Sequence, residues 1–273
     1  MFFGTPYVAR DTLALLVDAG FVPTLVVTSP DAPQGRGMHL APSETKEWAE
    51  AHGLRVLSPE KLNAEAIAAI NAYGCEYAVV VAYGKILPTT LIESFPKGVL
   101  NIHYSLLPAY RGASPVEAAL LHNDDITGVS IQQMVHELDA GDVLAQEETK
   151  VSPTETTREL RARLITLGAQ LLITTLPAFE AGTVVRTPQD PSKVTTAGKI
   201  PKSDGELTLG NDQENWNKYR AYAESPGTYF FMEKNGKRIR VKIKTARFEN
   251  GQFIPDRIVP EGKKEMSYAD FVR

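Results

Sequence analysis

The chain has 273 residues, of which 43% are hydrophobic and 23% charged, and its formal net charge is −4. These proportions are typical of a folded globular protein and exclude a disordered or fibrous chain. A single cysteine excludes an internal disulfide, and no apolar run reaches the roughly 20 residues that span a bilayer. The first residues lack the charged and apolar blocks of a signal peptide, so a cytoplasmic location is expected.

The first 180 residues alternate short β-branched or aromatic runs with helical patterns. This alternation predicts βαβ units and an α/β, Rossmann-like fold with a mostly parallel sheet and flanking helices. The predicted strands are residues 2–4, 24–28, 55–57, 77–82, 98–103 and 128–134. The predicted helices are residues 7–19, 43–52, 64–73, 115–122 and 154–180.

The pattern changes after residue 182. Residues 183–199 carry prolines, threonines and serines without apolar periodicity, which predicts a linker between a domain at 1–182 and another at 200–273. After one short helix near residues 216–223, residues 229–233 and 237–244 alternate with period two. Asn235 and Gly236 lie between these runs and indicate a hairpin, because both central turn residues adopt positive φ. A small β-rich, OB-like C-terminal domain is therefore expected.

Common catalytic motifs are missing from the sequence. The first strand is followed by neither the G-x-G-x-x-G spacing nor a Walker Gly-Lys-Ser/Thr, which disfavours nicotinamide and nucleoside triphosphates. The five histidines and one cysteine lack paired ligand spacing, so no metal is expected. A G-x-S-x-G nucleophile elbow is also absent.

Polar residues collect at the end of the predicted fifth strand. Asn101 and His103 are two residues apart and therefore point to the same side of the strand, at the sheet edge where α/β folds bind ligands. A second polar group, Asp139 and Asp142, follows the sixth strand. The spacing alone leaves a plainer interpretation open, in which His103 is a satisfied strand-end histidine, Asn101 is a turn former and one aspartate, by preference Asp142, is a turn residue.

A set of motifs surrounds these residues: Asn101-x-His103, Ser-Leu-Leu-Pro at 105–108, Tyr-Arg-Gly at 110–112 and Asp139-x-Gly-Asp. Together they resemble the folate-dependent formyltransferases, in which an Asn, a His and an Asp form the active site. The resemblance implies that Asn101, His103 and Asp139 are catalytic. Residues 3–6, 30–37, 58–62 and 260–266 are similar to the branch that formylates methionyl initiator tRNA for translation initiation.

The resemblance implies a role for each of the three residues. The Asn101 amide would donate to the oxyanion that forms during transfer, since an uncharged N–H donor suits that task. His103 would donate to the same oxyanion or protonate the departing folate nitrogen, and Asp139 would favour the charged imidazole. None of them is expected to be a covalent nucleophile.

The donor implied by the resemblance is 10-formyltetrahydrofolate. Residues 105–108 match the segment that contacts tetrahydrofolate, and residues 82–88 are expected to supply backbone hydrogen bonds and apolar walls for the pterin. The alternative is a loop that only packs. The expected folate-binding residues are Ser105, Leu106, Leu107, Pro108, Tyr83, Ile86 and Leu87.

Two features suggest contacts with tRNA. Arg36 lies between two glycines in a proline-rich loop that in the family reaches toward the acceptor end of the tRNA; the alternative is a solvated arginine. In the second hairpin strand, a period of two places four cations on one face, where they suit phosphates or protect a sheet edge. These cations are Arg238, Arg240, Lys242 and Lys244.

The net charge divides unevenly between the two predicted domains. Residues 1–199 hold 15 Lys and Arg against 22 Asp and Glu, a charge of −7, whereas residues 200–273 hold 14 against 11, a charge of +3. The acidic total therefore does not argue against tRNA as a partner. Two other functions remain open: an amino-sugar formyltransferase and a noncatalytic tRNA-binding protein. A monomer without membrane contact is expected.

Overall fold

A computed structural model of the protein describes residues 1–34, 38–234 and 236–273. In chain order, the strands are β1 (Phe2–Gly4), β2 (Val26–Val27), β3 (Ala32–Gln34), β4 (His39–Ala41), β5 (Val56–Leu57), β6 (Tyr77–Val81), β7 (Gly98–His103), β8 (Arg111–Gly112), β9 (Ile126–Gln133), β10 (Val143–Lys150), β11 (Thr196–Ala197), β12 (Tyr229–Lys234), β13 (Lys237–Glu249), β14 (Gln252–Pro260) and β15 (Met266–Ser267). The helices are α1 (Tyr7–Asp18), α2 (Glu44–Ala51), α3 (Ala64–Asn71), α4 (Thr89–Ile92), α5 (Pro115–Leu121), α6 (Thr157–Glu180), α7 (Asp212–Ala221) and α8 (Tyr268–Val272).

The chain divides into two compact units. Unit 1 comprises residues 1–111, 128–148 and 163–195, and unit 2 comprises residues 112–127, 149–162 and 196–273. Unit 2 gathers three segments because α5 packs against α7, while Arg220 of α7 donates hydrogen bonds to the carbonyl oxygen of Ser152 and to Oδ1 of Asn123. The functional division into residues 1–182, 183–199 and 200–273 stays a prediction.

Unit 1 is built on a seven-stranded sheet with strand order β10-β9-β7-β6-β1-β2-β5. The five strands that follow one another in the sheet as β7, β6, β1, β2 and β5 pair in parallel, and β9 runs antiparallel to β7. Two parallel neighbours are joined by a crossover connection, usually a helix that packs on the sheet. The helix between β7 and the antiparallel β9 is α5, and it belongs to unit 2. The predicted α/β fold with a mostly parallel sheet is confirmed. The antiparallel pair of β3 and β4, together with β10 and α4, was not revealed by the sequence patterns.

The core of unit 1 forms between the parallel strands and the helices beside them. Its strands are apolar nearly throughout, as expected for strands that are buried on both faces. One buried cluster joins side chains of β1, β2, β6 and β7 to those of α3 and α4. Its members are Met1, Phe3, Leu25, Val27, Ile70, Ala78, Val80, Tyr83, Leu87, Leu91, Ile92, Phe95 and Val99.

Helix α6 is the one helix in the described ranges that is long enough and apolar enough to cross a membrane. Its apolar residues recur at helical spacing and are buried within the folded chain, which is the pattern of a core helix. The buried apolar residues of α6 are Leu160, Leu164, Ile165, Ala169, Leu172, Leu176 and Phe179.

Unit 2 contains a four-stranded antiparallel sheet of order β12-β13-β14-β15. The predicted hairpin is confirmed by the pairing of β12 with β13, which closes with Lys234 opposite Lys237; Asn235 lies outside the described residues. The register of β13 with β14 shifts at Thr245. Odd-numbered residues such as Val241 and Ile243 face the core before the shift, and even-numbered residues, Ala246 and Phe248, face it afterwards. The sequence patterns did not reveal this irregularity, β14, β15 or α8.

Candidate active site

Strand β7 presents two of the predicted catalytic side chains. Asn101 lies opposite Gln132 of β9, and His103 lies opposite Ser130. Since alternate residues of a strand share a face, these four residues form a polar patch on one side of two neighbouring strands. The Asn101 side chain is half-buried and makes no hydrogen bond to a described residue. Its amide is therefore available to a substrate.

The imidazole of His103 is held by two groups. Its Nε2 lies 2.9 Å from the carbonyl oxygen of Tyr110. A carbonyl only accepts, so Nε2 carries the hydrogen in this arrangement, and Nδ1 faces the carboxylate of Asp139. The distance from Nδ1 to Oδ2 of Asp139 is 3.7 Å, and the two side chains are 6% and 10% exposed. The structure thus brings together all three residues that the motifs predict.

The Asp139 carboxylate has a second neighbour that the motifs did not indicate. Gln132 donates a hydrogen bond from Nε2 to Oδ1 of Asp139 over 2.8 Å. The two carboxylate oxygens thus face different partners, one the amide of Gln132 and the other the ring of His103. Asp139 has φ of 51°, in the left-handed region that aspartate adopts more readily than most non-glycine residues.

The backbone of the loop that carries Asp139 is held by Gln189. The Nε2 of Gln189 donates to the carbonyl oxygens of Asp139 and Gly141, each over 2.7 Å. Its Oε1 accepts hydrogen bonds from Arg111. A Cβ atom at Gly141 would lie 1.7 Å from the carbonyl oxygen of Gln133, so only glycine fits this close approach.

The segment at residues 105–108 follows β7 directly and is tied to β9 and β10. Ser130 Oγ donates to the carbonyl oxygen of Ser105 and accepts from the backbone N–H of Leu107. Gln146 donates to the carbonyl oxygen of Leu107 over 2.9 Å. Ser105 and Leu107 are buried, whereas Leu106 and Pro108 are half-buried. The segment's conformation is therefore set by protein contacts before any ligand binds.

The other predicted folate-binding residues differ in their surroundings. Tyr83 and Leu87 lie in the core cluster, while Ile86 is 86% exposed. The ring of Tyr83 packs edge-on against Phe3, and its hydroxyl is buried without a hydrogen-bond partner among the described residues. Burial raises the pKa of Tyr83 to about 12. The carbonyl oxygen of Tyr83 accepts a hydrogen bond from Thr5.

The predicted tRNA-binding cations of unit 2 lie along β13, and Arg36 lies outside the described residues. The guanidinium of Arg238 stacks on Phe231 at 3.9 Å, and that of Arg240 stacks on Tyr229 at 3.6 Å. Lys242 and Lys244 are exposed. The face of the hairpin that points away from the core therefore combines cations with aromatic rings. Arg238 also faces Glu206 at 3.7 Å.

Sequence reasoning missed Gln132 and Gln189, and it gave no role to Arg111 although that residue lies in the Tyr-Arg-Gly motif. Gln132 had a local signal, because it is one of the polar residues, with Ser130 and Gln133, in a predicted strand that also holds buried apolar residues, and buried polar residues are hydrogen-bonded. Gln189 lies in the predicted linker and had no such signal. Among the described residues, no group of three or more His, Cys, Asp or Glu side chains is placed to hold a metal ion, and a metal-free reaction stays a prediction.

Comparison with known proteins identifies relatives of this arrangement. Residues 4–176 match the family model described as formyl transferase. A methionyl-tRNA formyltransferase of Bdellovibrio bacteriovorus is 40% identical, over 92% of this chain and 79% of that protein. A methionyl-tRNA formyltransferase of Methylobacterium sp. is 37% identical, over 100% of this chain and 95% of that protein.

Solved structures share the fold at low sequence identity. A 4-N formyltransferase from Francisella tularensis superposes with a TM-score of 0.68 at 19% identity, over 90% of this chain and 97% of that one. HypX from Aquifex aeolicus in complex with tetrahydrofolic acid superposes with a TM-score of 0.61 at 16% identity, over 84% of this chain and 43% of that one. At these identities the likeness concerns the fold alone.

Proposed function

Because the chain belongs to the formyl transferase family, we propose that it transfers the formyl group of 10-formyltetrahydrofolate to the α-amino group of methionyl initiator tRNA. The observation that carries this proposal is the grouping at the end of β7. There the amide of Asn101, which makes no hydrogen bond to a described residue, lies two residues from His103, whose Nδ1 faces Asp139 at 3.7 Å. The organisation proposed with it is a catalytic domain at residues 1–182, a linker at 183–199 and a tRNA-binding domain at 200–273.

The reaction requires one bond exchange and one net proton transfer. The neutral amine nitrogen bonds to the formyl carbon, the bond between that carbon and N10 of the folate breaks, and N10 gains the proton that the amine loses. The folate is thus a substrate, consumed once per turnover. The protein must stabilise the oxyanion that forms on the formyl oxygen and provide a path for the proton.

Asn101 is the group suited to the oxyanion. Its side chain is half-buried and has no competing hydrogen bond among the described residues, so its N–H can donate without first breaking a protein contact. A positioned donor of this kind contributes about 10² to 10³ in rate in other acyl transfers.

His103 and Asp139 are suited to proton transfer. With Nε2 donating to the carbonyl oxygen of Tyr110, the ring presents Nδ1 to Asp139, and a proton on Nδ1 gives an imidazolium beside a carboxylate. The charged ring adds a second stabilising group next to the oxyanion, and Asp139 keeps it oriented. To protonate the folate nitrogen, His103 would break the hydrogen bond from Nε2–H to the Tyr110 carbonyl oxygen and donate from Nε2–H to N10 of the folate instead.

The proposed folate site uses residues 105–108 and the loop that contains Tyr83, Ile86 and Leu87. Leu106 and Pro108 are the half-buried members of the first segment and can pack against a ligand, whereas the Ser105 side chain is buried and donates to Ala109. In the second segment Ile86 is exposed and suits an apolar wall. Tyr83 and Leu87 support that loop from the core, so their contribution comes through backbone groups.

The proposed tRNA surface of unit 2 is the outward face of β13, and Arg36, which lies outside the described residues, is proposed separately as a tRNA contact. The cations on β13 alternate with Val241 and Ile243, which are buried in the core of unit 2. Stacking on aromatic rings orients the guanidinium groups of Arg238 and Arg240, whereas the exposed lysines remain free to contact phosphates. A cytoplasmic monomer is also proposed as the working form.

A formylation assay tests the function directly. Purified protein is incubated with methionyl initiator tRNA and 10-formyltetrahydrofolate, and formylmethionyl-tRNA is quantified; nucleotide-linked amino sugars serve as rival acceptors. Efficient formylation of the tRNA alone is expected, with complete loss in His103→Ala and unchanged tRNA affinity. Formylation of a sugar nucleotide instead would assign the chain to amino-sugar transfer. Binding of tRNA without any transfer would indicate a noncatalytic protein.

A further inference from the structure

Gln132 is buried inside the sheet at the level of the active site. It lies on β9 opposite Asn101 and is 1% exposed. Its neighbour on the same face of the strand, Ser130, is fully buried, and so is Ile131, the residue before it in the chain. A glutamine at such a position loses its hydration, so its hydrogen bonds decide what it contributes.

The amide of Gln132 is only half satisfied. Its Nε2 donates to Oδ1 of Asp139 over 2.8 Å, while its Oε1 is buried and has no hydrogen-bond partner among the described residues. An apolar side chain of the same length would fill this space without leaving a buried acceptor unpaired. Packing alone therefore does not account for a glutamine, whereas the hydrogen bond to Asp139 does.

The hydrogen bond fixes the rotation of the Asp139 carboxylate. With Oδ1 held by Gln132, Oδ2 is the oxygen that faces Nδ1 of His103 at 3.7 Å. Gln189 holds the backbone of the same residue from the other side through the carbonyl oxygen of Asp139. Loss of the Gln132 contact would remove one of the restraints on the terminal torsion of this carboxylate, which by itself has a broad energy profile.

We propose that Gln132 is a positioning residue for formyl transfer, which acts through Asp139 to set the orientation of the His103 ring. The inference rests on the proposed function, because only there does the orientation of His103 affect a reaction. Gln132 is too buried to touch either substrate, so its effect falls on kcat and not on the KM for tRNA or folate.

The test compares Gln132→Met with Gln133→Met. Methionine has a similar length and no N–H donor. Gln133 is the next residue on the same strand and points to the opposite face, where its Nε2 lies 3.5 Å from the carbonyl oxygen of Lys97. In Gln132→Met, kcat should fall about 10- to 100-fold, the scale of a misoriented catalytic group, while both KM values and the thermal midpoint stay close to wild type. Gln133→Met should keep the wild-type kcat.

Two further measurements separate positioning from a general loss of structure. In the Asp139→Ala background, which offers Gln132 no side-chain acceptor, adding Gln132→Met should slow transfer no further, since the glutamine acts only through the side chain at position 139. In ¹⁵N-histidine NMR spectra at fixed pH, Gln132→Met should shift the Nδ1 signal of His103, and Gln133→Met should not.

The outcomes distinguish this inference from the proposed function. Wild-type kcat in Gln132→Met, equal losses of kcat in both methionine variants, or an unmoved His103 signal would overturn the positioning role. If the wild-type protein transfers no formyl group to methionyl-tRNA while the His103 signal still responds to Gln132→Met alone, the proposed function fails and the positioning of His103 stands.

Discussion

The guanidinium of Arg111 donates two hydrogen bonds to Oε1 of Gln189, over 3.0 Å from Nε and 2.9 Å from Nη2, although 78 residues separate them in the chain. The other end of the Gln189 amide donates to the carbonyl oxygens of Asp139 and Gly141. Arg111 thus orients a glutamine whose two donated hydrogen bonds hold the loop that carries Asp139.

Replacing Gln189 should loosen this loop. We expect Gln189→Leu to lower kcat about tenfold, with a loss of about 1 to 3 kcal/mol in the free energy of unfolding, because two carbonyl oxygens lose their donor. Arg111→Met should have a similar effect, and the double variant should be little worse than either single one because both residues act on the same contact.

Steady-state kinetics measure kcat, and urea unfolding measures the free energy of unfolding. Gln170→Leu, at an exposed position of α6, is the control; a fully additive double variant would contradict the shared role.

Replacing Asn101 should lower the activity without lowering the stability. Its side chain makes no hydrogen bond to a described residue, so Asn101→Ala should change the free energy of unfolding by less than about 0.5 kcal/mol. The same variant should lower kcat by about 10² to 10³ through loss of the oxyanion donor. Asn71→Ala removes an acceptor from Ser94 on the surface and should show normal kcat. Near-normal turnover in Asn101→Ala would exclude the oxyanion role.

Gly141 should tolerate no side chain. A Cβ atom there would meet the carbonyl oxygen of Gln133 at 1.7 Å, so Gly141→Ala must displace the loop that carries Asp139. We expect a destabilisation of about 1 to 3 kcal/mol, as for other overpacked sites, together with a large loss of kcat. Gly198→Ala is the matched control, because nothing lies within 4 Å of a Cβ at that position. Thermal melting and kinetics of the two variants should diverge; equal behaviour would show that the loop adapts.

Tyr83 should govern part of the alkaline stability. Burial raises its pKa from 10.0 to about 12, so the phenol stays neutral in the folded chain after it has ionised in the unfolded one. The free energy of unfolding therefore keeps its full value below pH 10. It falls by about 2 to 3 kcal/mol in total as the pH rises toward 12. Tyr83→Phe removes the phenol and should lose less stability over this range.

The same variant also tests the folate site. Tyr83→Phe deletes a buried hydroxyl without a partner in the described chain, so stability at neutral pH should be unchanged or higher. The KM for 10-formyltetrahydrofolate should stay at the wild-type value, since the proposed contact comes from the backbone. Unfolding curves between neutral and alkaline pH provide the measurement, with Tyr73→Phe at a partly exposed position as the comparison. A raised KM would instead place the hydroxyl in the folate site.

Lys242 and Lys244 should contribute to tRNA affinity through phosphates. Replacing either with Ala should weaken binding and reduce the slope of log affinity against log salt concentration by about 1, the effect of one lost phosphate contact. Fluorescence anisotropy over a salt series measures both, and kcat at saturating tRNA should not change. Lys193→Ala, whose side chain is 75% exposed, is the control. An unaltered slope in both variants would remove β13 from the tRNA surface.

The strand patterns show how far local sequence reaches. Period-two alternation in residues 237–244 predicted which side chains of β13 face the core, and the buried Val241 and Ile243 agree with it. The prediction stops at Thr245, where the register with β14 shifts and the alternation changes phase. Such a shift depends on the partner strand, so it leaves no mark in the period of β13 itself.

The sequence by itself determined the fold class, the hairpin of unit 2 and the three polar side chains at the end of β7 and in the loop after β9. These features are local, because strand periodicity, turn residues and motif spacing are written in neighbouring positions. Only the tertiary structure decided that Gln132 and Gln189 hold Asp139, and that the ring of His103 lies between Tyr110 and Asp139. Those contacts join side chains that strand pairing and loop packing bring together, and residue type alone does not specify which buried amide meets which carboxylate.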